Sequence, residues 1–280
     1  MAELTEDVTV VLNYYNKSAK LLNSQMMALK NQTIKAKCIW GCFLGCKDDT
    51  LLDAFLKWKD EFTNIYHITS DYNFKYIGRY QLALTAPTEY VIVLDDDRIP
   101  CPDFIKKTVE ILKSQECIVG QYGWILDETN MDINGLFVFP GWYHRNKKMM
   151  DYVYSKYDFF SDNKKANIDA SFNICDNLLN NFVPDKESDL IKVDYLCGGL
   201  SFRKSTLYKL FTETIHTVDT GEDIIFCLRA NNLNIPVYYH DPERSELLET
   251  RDEKITSTSS LSIYLKRTEL IRKMKNITNQ

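Results

Sequence analysis

The chain has no glycine-rich phosphate fingerprint. Neither G-x-G-x-x-G nor G-x-x-x-x-G-K occurs in the loops that should follow its early strands. That disfavours a dinucleotide-dependent dehydrogenase and a P-loop kinase. No Cys-x-x-Cys pair occurs among its 8 cysteines, which argues against a structural zinc site. No run of about 18 apolar residues occurs, so no membrane span is expected. Residues 1–7 are largely polar and acidic and do not read as a signal peptide, so a cytoplasmic, reducing setting with free thiols is expected. Excess positive charge is missing too: the net charge is −5, which suggests no nucleic-acid partner. Glycine and proline are few, 10 and 7 in 280 residues. With 45 % hydrophobic and 26 % charged residues, this is an ordinary globular composition. It is long enough to bury a full core as a single domain.

What the sequence does have is concentrated at Val91-Ile92-Val93-Leu94-Asp95-Asp96-Asp97. Four apolar residues run into three carboxylates that repel one another. A turn or helix start would account for them, since Asp favours both and Pro100 and Pro102 follow. A hard divalent cation would also account for them, and the buried-looking strand in front favours this reading.

Apolar β-branched runs at 8–12, 38–44, 65–68 and 91–94 read as strands. Helix spacing at 18–32, 53–62 and 76–85 separates them. The alternation predicts an α/β fold with a mostly parallel central sheet flanked by helices. Ligands in such sheets bind beyond the carboxyl ends of the strands, so the loops after Leu12, Ile68 and Leu94 should share one rim. Further on, helices are expected over 103–113, 206–211 and 224–230, and strands over 117–120 and 235–239. Residues 144–190 show no periodicity and read as an irregular lobe, and 261–274 as an amphipathic helix. The expected layout is one domain over 1–280. A nucleotide-binding half spans about 8–100, an acceptor and catalytic half 101–242, and a C-terminal loop and helix 243–280.

Asp95-Asp96-Asp97 resembles the Asp-x-Asp motif of the metal-dependent GT-A glycosyltransferases that use nucleotide sugars. Leu12-Asn13-Tyr14-Tyr15-Asn16, Gly198-Gly199 and Glu222-Asp223, placed as the family's x-Glu-Asp motif, complete the resemblance in order and spacing. It covers about residues 8–240. It implies a Rossmann-like GT-A fold with an irregular acceptor-side lobe. The implied activity is an inverting transfer from a UDP-sugar to a hydroxyl of an oligosaccharide or glycoprotein acceptor. The first strand starts near residue 8 with no anchor before it. In this the chain looks more like soluble bacterial or large-virus members than Golgi ones, among them xylosyltransferases that act on a fucose. UDP-xylose is the donor that this narrower likeness suggests.

The resemblance also implies site roles. Asp97 would bind Mn²⁺ or Mg²⁺, with His240 as a third ligand. Asp95 would touch the ribose, or the metal through water, and Asp96 would support the sugar or ribose. Asp223 would be the general base, with Glu222 hydrogen-bonded to a sugar. Asn13, Tyr14 and Tyr15 would meet the base, as would Asp71, and Arg79 would reach a phosphate or the base. Gly198 and Gly199 would let backbone approach the sugar, or serve simply as turn residues. Trp124, Trp142 and Tyr143 are candidates for stacking on an acceptor, or for core packing. Two other readings stay open: a metal-dependent nucleotidyl- or phosphotransferase, and a non-catalytic carbohydrate- or metal-binding module.

Overall fold

A computed structural model of the chain describes residues 5–15, 18–96, 98–120, 122–126, 138–140, 190–212, 221–240 and 270. Asp97, the expected lobe up to residue 189, Trp142 and Tyr143 lie outside the described residues, as does all but Leu270 of the expected C-terminal helix.

The first four strands are β1 (Thr5–Asn13), β2 (Lys35–Leu44), β3 (Ile65–Ser70) and β4 (Tyr90–Asp95). They pair in parallel in the order β3-β2-β1-β4. Four further strands extend the sheet: β5 (Ile118–Gly120), β8 (Leu190–Lys192), β10 (Ser201–Arg203) and β11 (Val237–His240). The full order is β3-β2-β1-β4-β10-β5-β11-β8. Only β10 and the edge strand β8 run against the rest. The expected α/β class with a mostly parallel sheet is therefore observed. A small antiparallel sheet joins β6 (Tyr122–Leu126), β7 (Val138–Pro140) and β9 (Tyr195–Cys197).

Burial on both faces explains why the central strands are near-continuous apolar runs, broken in β1 by the buried Thr9, whose hydroxyl pairs with that of Thr88 at 2.7 Å. In β1, Val8, Val10 and Leu12 point into one core and Val11 into the other. In β4, Ile92 and Leu94 join the first core, and Val91 and Val93 the second. The first core is closed by α1 (Ala19–Lys30), α2 (Asp49–Leu56) and α4 (Phe104–Ser114). The second is closed by α3 (Gly78–Ala83), α5 (Lys204–Leu210) and α6 (Glu222–Asn232). Each fully buried Val, Leu or Phe contributes about 1.5–3 kcal/mol, so the three-layer sandwich is the solution that hides every strand face.

The second helix starts earlier than the apolar spacing suggests. Asp48 caps it, its carboxylate accepting from the Thr50 N–H at 2.9 Å, and the helix ends at Leu56. Residues 59–61, which the spacing had joined to this helix, form a separate 3-10 turn.

Candidate active site at the carboxyl rim of the sheet

Strand order reverses at β1: β2 lies on one side of it and β4, reached by a crossover, on the other. Such a switch point opens a crevice beyond the strand ends. Its two lips are Asn13 and Asp95, the last residues of β1 and β4, which are register partners. Both are partly exposed.

Asp95 is held from two sides. Its backbone carbonyl accepts from Gln25 Nε2 at 2.8 Å, and the same amide donates to the Arg98 carbonyl at 2.7 Å. The turn between them is closed by the Arg98 N–H on the Asp95 carbonyl at 3.1 Å. Gln25 Oε1 accepts the Tyr14 hydroxyl at 2.8 Å. Gln25 is thus a fully buried clamp from α1 onto the acidic turn. On the other side, Asp95 Oδ1 accepts from Arg79 Nη1.

Arg79 is not a solvated helix residue. It is 3 % exposed, and its Nη2 donates to Glu222 Oε1 at 3.0 Å. The Tyr80 and Tyr76 rings stand 5.2 and 5.9 Å from the guanidinium carbon. Burial works against the charge, but the surroundings of Tyr80, Glu222 and Asp223 more than offset it and raise the guanidinium's pKa. Both terminal nitrogens of the residue expected to reach a phosphate or the base therefore meet carboxylates.

Glu222 and Asp223 begin α6, after Gly221 in the left-handed region at φ 88°. Both are almost fully buried, and Asp223 Oδ1 accepts from the Ile224 N–H at 2.9 Å. Acidic residues in a first helical turn face the positive end of the helix dipole. Gly221 at the N-cap has no side chain to cap with, so the acidic pair meets the dipole from within the first turn, where Glu222 also accepts from Arg79.

Gly199 has φ +103°, and a Cβ there would stand 2.3 Å from the Val93 carbonyl oxygen. The glycine lets the segment before β10 lie against β4, where the Val93 N–H donates to the Leu200 carbonyl at 3.0 Å. Its close approach is to the strand that carries Asp95. Gly198 is partly exposed at φ 84°.

Tyr14 corrects an expectation. It continues the β1 ladder, donating its N–H to the Cys42 carbonyl at 2.9 Å. That turns its ring into the core, 5.4 Å from Phe43, with no exposed face for a base. Tyr15 is 43 % exposed, and its N–H lies 3.4 Å from Asp96 Oδ2, linking the loop after β1 to the acidic turn. Asp71 is exposed just past β3 on the same rim. His240 ends β11 and is buried. Three strand spacings, about 14 Å across the sheet, separate β11 from β4, so register alone does not bring His240 beside Asp95. Among the described residues no three His, Cys, Asp or Glu side chains converge as a metal site. The partly exposed carboxylates of Asp95 and Asp96 are hard oxygen donors of the kind Mn²⁺ or Mg²⁺ takes.

Gln25 and Gln32 escape sequence reasoning. Gln32 Nε2 donates to the Cys101 carbonyl at 2.6 Å, and its Oε1 accepts from the Ile105 N–H at 3.0 Å. Their one sequence signal is position: both lie on or just past the apolar stripe of the first helix, where a solvated residue would break it.

Two solved structures of S. aureus TarS residues 1–349 are similar in part. The complex with UDP is 18 % identical over 40 % of this chain and 34 % of that one, with a TM-score of 0.34. The other is 14 % identical over 83 % of this chain and 59 % of that one, with a TM-score of 0.48. The chain thus spans less than two thirds of either. No curated protein matches. No helix of the described residues is long and apolar enough to cross a membrane. The model of glycosyl transferase family 2 matches residues 9–188, well over half of the chain, taking in β1 to β4 and the acidic turn but not Glu222, Asp223 or His240. The chain belongs to glycosyl transferase family 2.

Proposed function

We propose that the protein is an inverting glycosyltransferase that moves a sugar from a UDP-sugar to a hydroxyl of a glycan or glycoprotein acceptor. The observation that carries this is the meeting, through Arg79, of Asp95 at the end of β4 with Glu222 at the start of α6. Two motifs from distant parts of the chain form one carboxylate cluster at the switch point. Family membership disfavours the nucleotidyl- or phosphotransferase reading.

In this reading the nucleotide lies across the crevice between Asn13 and Asp95, with Tyr15 and Asp71 toward the base and Asp95 and Asp96 toward the ribose and sugar. Gly198 lines the sugar side. Asp97 and Asp95, with His240 from the end of β11, would hold Mn²⁺ or Mg²⁺. When bound, such a cation neutralises the leaving diphosphate as a Lewis acid. Asp223 takes the proton from the acceptor hydroxyl as its oxygen bonds to the anomeric carbon, and Glu222 orients a sugar hydroxyl. The anomeric C–O bond breaks, its electron pair leaves with UDP, and the configuration inverts. UDP-xylose as donor and a fucose as acceptor are the finer form of the proposal.

A donor screen tests it. UDP-, GDP- and TDP-sugars are incubated with Mn²⁺, and released nucleotide is measured. Turnover of a UDP-sugar that is abolished by EDTA and by Asp97→Ala is expected. Turnover that survives both would sink the metal assignment, and a chain that binds sugars without ever releasing nucleotide would sink the enzyme.

A further inference from the structure

We infer that Arg79 is a positioning residue: a buried cross-link that sets the end of β4 against the start of α6, and not a contact to the donor's phosphates. The inference rests on the proposed nucleotide-sugar reading for its consequence, but on the geometry of three chain segments for its substance. Arg79 reaches 16 residues forward to Asp95 and 143 residues forward to Glu222. Its 3 % exposure leaves no approach for a phosphate unless one carboxylate is displaced.

A buried guanidinium costs several kcal/mol in lost hydration and is kept only where carboxylates meet it in good geometry. Here two carboxylates meet it, one at each terminal nitrogen, and the Tyr80 and Tyr76 rings flank it at 5.2 and 5.9 Å. The planar fork of arginine presents donors in two directions at once, which a lysine ammonium on its single stem does not match. Asp95 belongs to the donor side of the proposed site, and Asp223 follows Glu222 directly. The cross-link therefore ties the depth of the ribose to the position of the base. It also takes up one oxygen of Asp95, leaving the other for ribose or metal.

The test uses the full chain with Arg79→Lys, Arg79→Gln, Glu222→Gln and the double variant R79Q/E222Q. Urea unfolding is measured first. The fall in midpoint of R79Q/E222Q is expected to be smaller than the summed falls of the two single variants, because each removes the same contact. Additive falls would overturn the cross-link, and this arm stands whether or not the chain binds nucleotides. Uridine and UDP are then titrated. The cross-link predicts that R79Q weakens both by the same factor, since the ribose contact is what shifts. A phosphate contact would instead cost UDP at least about tenfold more than uridine, overturning the inference. In Arg79→Lys, kcat is expected to fall at least about tenfold while the donor KM moves less than about threefold. A rise in KM with kcat unchanged would contradict the positioning role. A wild-type chain that binds neither uridine nor UDP refutes the nucleotide-sugar reading, and the urea cycle then decides the cross-link alone.

Discussion

Asp95 owes its place to a glutamine. Gln25 uses its amide oxygen and both amide hydrogens in the core, on Tyr14, Asp95 and Arg98. Gln25→Leu keeps the volume and removes three buried hydrogen bonds, although the Asp95 carbonyl keeps the Arg98 N–H. Each stranded group costs about 1–3 kcal/mol, though relaxation and water recover part of it. A net loss of about 2–4 kcal/mol in urea unfolding is expected, with weaker UDP binding in the protein that remains folded. Gly199→Ala is expected to cost more than about 2 kcal/mol by the same measurement, because φ +103° strains any L side chain and the new methyl meets a backbone carbonyl that cannot retreat. Of these residues the sequence made Asp95, Gly199 and Arg79 visible as types, but not what they touch. Gln25 was invisible because a glutamine on a helix reads as solvated unless the groups facing it are known.

At the scale of elements, β1, β2 and β4 were legible because burial on both faces makes them apolar runs, while β3, an edge strand with no buried residue, showed only as the short stretch from Ile65 to Ile68. Strands β8, β9 and β10 were not, since they mix polar and apolar residues over three positions, without the β-branched pair Ile118-Val119 that marks the equally short β5. Helix α2 was legible in kind but shifted, because the cap and not the apolar spacing sets its start. Asp48→Ala is expected to cost about 1 kcal/mol, read as a lower thermal midpoint, while Asp48→Asn is expected to cost much less.

Strand β2 and the lead-in to β5 also carry a pH signature. Burial pushes the Cys42 and Cys117 thiols up to about 12, with nearby Arg79 and Arg203 respectively opposing it. Folding holds these protons on, whereas the unfolded thiols lose theirs from about pH 8.5. Stability is therefore complete below that pH and is lost as pH rises toward 12, each thiol adding a slope of up to about 1.4 kcal/mol per pH unit. The double variant C42A/C117A should flatten the fall measured by urea unfolding between pH 9 and 11. An unchanged slope would contradict the assignment.

For the molecule as a whole, the order β3-β2-β1-β4 puts the ends of four parallel strands on one rim with the switch point between β1 and β4. The shared rim followed from the alternation of strands and helices, whereas the strand order and the place of the switch point did not. The pairing of Asp95 with Glu222 across 127 residues did not, because no local pattern reports which distant helix start a strand end will meet. The mechanism depends on that convergence, since donor and base must face one another for a single displacement. Asp223→Asn tests it most directly: the amide keeps the Oδ1 acceptor for the Ile224 N–H and removes only the basicity. With Mn²⁺ and the best UDP-sugar from the donor screen, kcat for transfer should fall at least about 100-fold while donor affinity stays within about threefold. Near-normal transfer by the folded, donor-binding variant would contradict the account.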